Sequence, residues 1–229
     1  MEEKIAEKRI RVLEPELEEE ELKEIVDKKK TDIFRSRLRK PKPEDVHVDS
    51  LELTYEPYLV LNGKFDCDYY RKGSHTLDVD NQVKEVVIGK YKFPTKENRL
   101  WAKHKRKVEI ELEEHVVIKN HAVIALDSHG DEVEFPYEIT TETVAADPAK
   151  ILDDNKQNVR KLEIKFDEAV ARLRSKLVNL KESPIRVVSQ IFSVDDAKEV
   201  YVPVYEARCL GPDSKVALLR IDAVTKKVR

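Results

Sequence analysis

Apolar residues recur at helical spacing in two segments of the chain. Residues 16–40 carry one apolar stripe, made by Leu22, Ile25, Val26, Ile33 and Leu38. Residues 166–181 carry a second stripe, made by Phe166, Val170, Leu173, Leu177 and Leu180. Prolines follow both segments, and a spacing of three to four residues that ends at proline is typical of an amphipathic helix. Two helices are therefore predicted, each with one buried face.

Most of the remaining chain alternates between apolar and polar residues, which is typical of strands with one buried face. Predicted strands and hairpins cover residues 46–53, 58–70, 75–88, 108–126, 132–135 and 186–229. Asn62-Gly63 has the composition of a two-residue hairpin turn, and a kink within one long strand fits the same residues. Residues 71–74 and Lys119-Asn120 are predicted turns. Residues 89–107 lack a clear period and are predicted to be a connection.

Two short motifs resemble each other. Residues 79–86 read VDNQVKEV, residues 221–228 read IDAVTKKV, and a Tyr-x-Pro precedes each motif. The same order of helix, proline, strands and motif predicts an internal duplication, with Tyr55 equivalent to Tyr201 and Asp80 equivalent to Asp222. An aspartate at a strand end caps the following turn by accepting backbone N–H groups. We favour that structural role over a ligand role.

The predicted fold class is α+β, with two duplicated helix-plus-antiparallel-sheet (α-β-β-β) units and an inserted β-hairpin segment. The expected organisation runs in four parts along the chain. These are an N-terminal extension (1–15), a first α-β unit (16–90), a basic connection with the hairpin insertion and a linker (91–156), and a second α-β unit (157–229).

The second unit, about residues 160–229, resembles the closing part of PepSY-like repeats, and residues 20–88 resemble it as a diverged copy. The matching residues are Ile221, Asp222, Ala223, Thr225, Lys227 and Val228, and Lys226 stands where the family pattern has glycine. The resemblance implies a helix before a three-stranded sheet. It also implies a non-catalytic scaffold that binds or restrains another protein.

Composition narrows the class of protein. Charged residues make up 39% of the chain, and the excess of Lys and Glu resembles the composition of hyperthermophile proteins. A net charge of −3 argues against a surface built for wholesale nucleic-acid coating. The N-terminal sequence lacks the apolar segment of a signal peptide, and no apolar run is long enough to span a membrane. With Cys67 and Cys209 expected to be reduced, we predict a cytoplasmic protein.

Familiar catalytic motifs are missing from the sequence. Neither glycine-rich phosphate-binding pattern occurs, and the serine nucleophile elbow does not occur. A group of histidines and acids lies within 17 residues: His115, His121 and His129 with Glu113, Glu114 and Asp127. If 113–118 and 121–126 form a hairpin, His115, His121 and a carboxylate face one another at metal-binding distance. The alternative, which we favour, is that these side chains are solvated, with His121 and His129 beside turns.

A basic segment surrounds the one tryptophan of the chain. It reads RLWAKHKRK and offers Arg99, Trp101, Lys103, Lys105, Arg106 and Lys107 as candidate nucleic-acid contacts. An aromatic ring flanked by cations can stack on a base while its neighbours contact phosphates. The alternative, which we favour, is a loop anchored in the core by Trp101.

The leading expectation is a non-enzymatic cytoplasmic module that binds a protein partner or acts as a scaffold, without a cofactor or metal. One alternative is an RNA- or ribosome-associated factor acting through residues 99–107. A second is a metal-dependent enzyme at the histidine cluster. The sequence leaves open whether the chain forms a homo-oligomer.

Overall fold

The computed structural model describes residues 1–35, 41–96, 105–180 and 182–229, with only the backbone of Lys105. It is a mixed α+β structure, as predicted. The helices are α1 (Glu19–Lys29), α2 (Pro148–Asp154) and α3 (Phe166–Leu177). The strands are β1 (Glu2–Ile5), β2 (Lys8–Val12), β3 (His47–Asp80), β4 (Glu85–Ile88), β5 (Tyr91–Lys96), β6 (Lys105–Leu126), β7 (Arg186–Leu210) and β8 (Val216–Asp222).

The strands form one open sheet in which the order is β1-β7-β3-β6-β5-β4. Strands β2 and β8 also pair with β7, in parallel and antiparallel directions respectively. The β4–β5 and β5–β6 pairs are antiparallel. The region 89–107, predicted to be a connection, therefore contains β5 and the start of β6. Tyr91, Phe93 and Thr95 alternate there over too short a stretch to reveal a strand by period alone.

Three strands are much longer than predicted. Asn62-Gly63 and residues 71–74 lie inside the 34-residue β3, and Lys119-Asn120 lies inside the 22-residue β6. The hairpin and turn predictions at these places are wrong, and the long-strand reading of residues 58–70 is correct. Gly63 lies in the extended backbone of β3 and does not have the positive φ that Gly89 and Gly130 have. A Cβ on Gly63 would lie 2.5 Å from the Ser193 carbonyl oxygen, so glycine is needed for close approach of another strand.

Both predicted helices are present, and each is shorter than expected. α3 buries Val170, Leu173 and Leu177, three members of the predicted stripe. α1 buries Leu22 and Val26 but ends at Lys29. Asp32–Phe34 then forms a single 3-10 turn, and its Ile33 and Phe34 pack against the core that contains Leu22 and Val26.

The chain forms two compact units, each assembled from three stretches of sequence. The first unit comprises Met1–Lys4, Lys64–Asn120 and Leu177–Phe192, and the second comprises Ile5–Gly63, His121–Lys176 and Ser193–Arg229. The unit boundaries fall within long strands and therefore differ from the segment boundaries expected from sequence. Phe65, Cys67, Tyr69, Val108, Ile110 and Phe192 are buried in the first unit. In the second unit α1 packs on β7 and β8 through Leu22, Val26, Ala207, Leu219 and Ile221.

The structure does not confirm the duplication. Tyr55 and Asp80 lie on one continuous strand, whereas Tyr201 and Asp222 lie on the paired strands β7 and β8. The shared motif nevertheless has the predicted local role. The Asp80 carboxylate accepts a hydrogen bond from the Gln82 N–H, and the Asp222 carboxylate accepts from the N–H groups of Val224 and Thr225. The two motifs are similar turn caps, and the strands around them are arranged differently.

Candidate functional site

An open cleft of about 1040 Å³ lies in the first unit. The β4–β5 hairpin, the first half of β6, the β3 segment at Gly73 and the chain before β7 contribute its walls. The apolar lining residues are Ile88, Tyr91, Phe93, Ile110, Leu112 and Ile185. The other lining residues are Lys72, Gly73, Ser74, Glu111, Glu113 and Glu182.

Much of the apolar lining is exposed to solvent. Tyr91 is 61% exposed, Ile88 49% and Ile185 47%. Val87, Val187 and Val188, which are close to Ile88 and Ile185 in the sequence, are also exposed. Single exposed apolar residues are ordinary on protein surfaces, whereas a group of them around one concavity marks a binding surface.

One edge of the cleft is a strand edge that β5 leaves unpaired. Strand β5 pairs with β6 only at Thr95↔Val108 and Lys96↔Lys107. The next position of this ladder would set Pro94 opposite Glu109. Proline has no backbone N–H to donate, so the ladder ends there. From Glu109 to Glu113, the side of β6 that faces β5 has no partner strand within the described part of the chain.

The charged residues of the cleft are mostly acidic. Glu111 and Glu113 are exposed and form no ion pair with another described residue. Glu182 lies 3.7 Å from Arg71, whose Nε also donates to Glu114 at 2.7 Å. Hydrogen bonds from His75 and Arg71 hold the pKa of Glu114 below its usual value. Glu111 and Glu113 are therefore the acids of the cleft wall that remain free to pair with another molecule.

The structure gives the three histidines of the candidate metal cluster separate partners. The His115 ring stacks on Tyr70, with ring centroids 4.6 Å apart, and bonds the Asp68 carboxylate. His121 Nε2 lies 2.7 Å from Asn62 Oδ1. Because β6 does not turn back at Lys119-Asn120, His115 and His121 do not face each other across a hairpin. They lie six residues apart on one strand, about 20 Å along its axis.

The other two candidate ligands belong to a turn. Asp127 accepts hydrogen bonds from the N–H groups of His129 and Asp131, which is the role of a turn cap. His129 Nδ1 lies 3.1 Å from Glu163, and this hydrogen bond raises the pKa of His129. Among the described residues, no group of three or more His, Cys, Asp or Glu side chains is arranged to hold a metal ion.

The candidate nucleic-acid contacts fall mainly outside the described part of the chain. Arg99, Trp101 and Lys103 are not described, nor is the side chain of Lys105. Arg106 is partly buried and directs Nη1 to the Val83 carbonyl oxygen at 3.4 Å, whereas Lys107 is exposed on β6. The expectation that Trp101 anchors a loop stays a prediction.

A second polar group surrounds Asp222 in the second unit. The buried Asp222 carboxylate bonds the Tyr137 hydroxyl and lies 2.6 Å from Arg229, which also bonds Glu56 at 2.6 Å. Burial alone would raise the pKa of Asp222, but hydrogen bonds from Thr225, Tyr137 and Arg229 lower it overall. Burial and the bond to Asp222 raise the pKa of Tyr137. These hydrogen bonds join Asp222 to groups that are far apart in the sequence and stabilise the fold of the second unit.

In comparisons with known proteins, no family model, no curated protein and no solved structure matches this chain. The resemblance of residues 221–228 to PepSY-like repeats therefore rests on that motif. No helix in the described ranges combines the length and the apolar character needed to cross a membrane.

Proposed function

We propose that this chain is a non-catalytic protein-binding module whose partner docks in the cleft of the first unit. The observation that carries the proposal is the combination of exposed apolar side chains with an unpaired strand edge in one concavity. Burial of apolar surface is the main driving force of protein association. The strand edge adds backbone groups that a polypeptide can pair with directly.

The exposure of the lining favours a polypeptide over a small molecule. Pockets for small ligands are largely pre-formed and enclose most of the ligand surface. Here Ile88, Tyr91 and Ile185 keep about half of their surface in water. Protein interfaces have this character before the partner arrives, with aromatic and aliphatic side chains at the centre and a polar rim.

The proposal is tested by affinity isolation from the native cell with three forms of the protein. Leu112→Arg places a charge in the cleft, where Leu112 is 40% exposed. Leu218→Arg is the matched control, because Leu218 is an exposed leucine on β8 in the second unit. Both substitutions lie at exposed positions, so both variants are expected to keep the wild-type melting temperature within a few degrees.

We expect a protein that co-purifies with the wild type and with Leu218→Arg, and that Leu112→Arg loses. Reconstitution from the two purified proteins should then give a dissociation constant that Leu112→Arg raises at least about tenfold, as expected for a buried interface position. Equal recovery by all three forms would contradict the proposal. Recovery of RNA with a steep salt dependence, unaffected by Leu112→Arg, would favour the RNA-binding alternative instead.

A further inference from the structure

We infer that the partner segment binds as an added strand along the edge of β6, and that it presents basic and apolar residues in alternation. This inference rests on the proposed function, because it names what fills the same cleft. It follows from the direction of the backbone groups on β6 and from the side chains that line the cleft.

The hydrogen bonds of β5 show which backbone groups point into the cleft. The Thr95 N–H donates to the Lys84 carbonyl oxygen at 3.0 Å, so Thr95 directs its backbone groups toward β4. Lys96, the next residue, then directs its groups toward β6, where it is paired with Lys107. Alternate residues of a strand point their N–H and C=O groups to the same edge. The backbone groups of Glu109, Glu111 and Glu113 therefore line the edge that Pro94 leaves unpaired.

The cleft follows this edge of the strand. Four consecutive residues of β6, from Ile110 to Glu113, line it. Successive side chains of a strand point to opposite faces of the sheet, so a concavity that includes all four extends past both faces. An extended segment lying beside β6 contacts both sets of side chains, whereas a ligand lying on one face contacts only one set.

The two sets of side chains specify different chemistry. Ile110 and Leu112 present apolar groups on one face, and Glu111 and Glu113 present carboxylates on the other. Residues directly opposite one another in an antiparallel pair lie with Cβ atoms about 5 Å apart, and opposite charges at such positions attract. Lysine or arginine opposite the two glutamates, with aliphatic residues between them, matches this wall. Tyr91 and Phe93 of β5 then cover the aliphatic positions from the other side.

Charged residues on a strand edge have a second known use, which is to prevent strands of other molecules from pairing there. Glu109 illustrates a blocked position, because its carboxylate is already bonded to Lys96. Glu111 and Glu113 have no such partner among the described residues. They repel acidic strands, and a purely apolar strand would bury the carboxylates without a partner, so a basic strand is the favourable addition.

The test uses a ten-residue peptide that alternates lysine and valine, measured by fluorescence anisotropy against the full chain. A control peptide has the same ten residues with the lysines and valines in separate blocks. A third peptide carries glutamate in place of lysine. We expect the alternating lysine peptide to bind at least about tenfold more tightly than either control, since two opposed charge pairs and the strand register are lost in the controls.

A charge exchange tests the side-chain contacts. The double variant Glu111→Lys with Glu113→Lys should lose about tenfold or more in affinity for the lysine peptide and should gain a comparable factor for the glutamate peptide. Glu142→Lys is the control, since Glu142 is an exposed acid in the second unit. It should leave both affinities within about twofold.

N-methylation of the peptide tests the backbone contacts. Methyl groups on alternate amides remove the donors on one edge of the peptide strand. Methylation of one set of alternate amides should abolish binding, because it removes the donors that face β6. The peptide methylated on the other set should bind within about threefold of the unmethylated peptide. Equal affinities of the two methylated peptides, or binding unaffected by the charge exchange, would overturn the inference. If the cellular partner is still lost with Leu112→Arg in that case, the proposed function holds and only the mode of binding is wrong.

Discussion

The carboxylate of Asp222 joins a turn cap, a tyrosine hydroxyl and a guanidinium in one place. It is 2% exposed, and its bonds to the N–H groups of Val224 and Thr225 fix the turn that ends β8. Bonds to Tyr137 and Arg229 add groups that are far from it in sequence. The turn cap could be anticipated from the sequence because it is local. The long-range partners could not, because residue spacing says nothing about them.

Asp222→Asn should lower the free energy of unfolding at pH 7 by about 1–3 kcal/mol, since Arg229 loses a charged acceptor in a buried site. The folded protein lowers the pKa of Asp222 below the usual 3.9 or so of an unfolded chain, so the unfolded state binds the proton first as the pH falls. The contribution of Asp222 is therefore complete above about pH 4 and is lost as the pH falls through the folded pKa. Urea unfolding at pH 7 and pH 3 should show the difference between wild type and variant shrinking at pH 3. Asp78→Asn, at an exposed position, is the control, and an unchanged difference would show that ionisation of Asp222 does not contribute.

Lys226 occupies a backbone conformation that favours glycine. Its φ is +60°, and it stands where the PepSY-like pattern has glycine. A non-glycine residue in the left-handed region costs about 1–2 kcal/mol. Lys226→Gly should therefore be more stable than Lys226→Ala by about 1 kcal/mol in urea unfolding. Both variants lack the 2.7 Å ion pair with Glu21, so the comparison isolates the backbone. At Lys227, where φ is negative, the order of the glycine and alanine variants should be reversed.

At the scale of elements, β3 shows how much of the fold the sequence could predict. The helices were predictable because each apolar stripe is local and ends at proline. Leu59, Leu61, Phe65, Cys67 and Tyr69 are all buried and keep a period of two through Gly63, which is the pattern of one strand. Asn62-Gly63 favours a hairpin when only local turn preference is considered. The contact that requires glycine comes from β7 and α3, about 110 or more residues later, and could not be seen locally.

Gly63→Ala and Gly73→Ala form a matched pair that tests the long strand. A Cβ on Gly63 would lie 2.5 Å from a backbone oxygen of β7 and 2.9 Å from Leu173 Cδ2, so the backbone must shift. The atoms nearest to a Cβ on Gly73 belong to the Glu114 side chain, which would shift together with its bonds to Arg71 and His75, whereas no backbone has to move. Gly63→Ala should lower the free energy of unfolding by about 1–3 kcal/mol, the usual cost of overpacking. Gly73→Ala should lower it by about 1 kcal/mol or less in the same urea titration, because a side chain yields more readily than a backbone strand. Equal effects would argue against the close approach at Gly63.

At the scale of the whole molecule, each compact unit draws on distant parts of the sequence. The cleft illustrates the consequence, because its walls come from β3, the β4–β5 hairpin, β6 and the chain before β7. The sequence shows Tyr91, Phe93 and Pro94 as neighbours in a short segment without clear period. It does not show that Glu111, Glu113 and Ile185 lie beside them. The histidines of the candidate metal cluster show the converse, since His115 and His121 are close in sequence and lie apart along one strand.

Amide hydrogen exchange shows at residue level whether a polypeptide adds to the open edge of β6. Exchange is measured along the whole chain with and without a saturating amount of the alternating lysine–valine peptide. New backbone hydrogen bonds slow exchange at the amides that make them. We expect protection to rise about tenfold or more at Glu111 and Glu113, with Ile110, Leu112 and the exposed side of β8 unchanged. Protection confined to another strand, or no change along β6 while the peptide is bound, would contradict the addition of a strand to this edge.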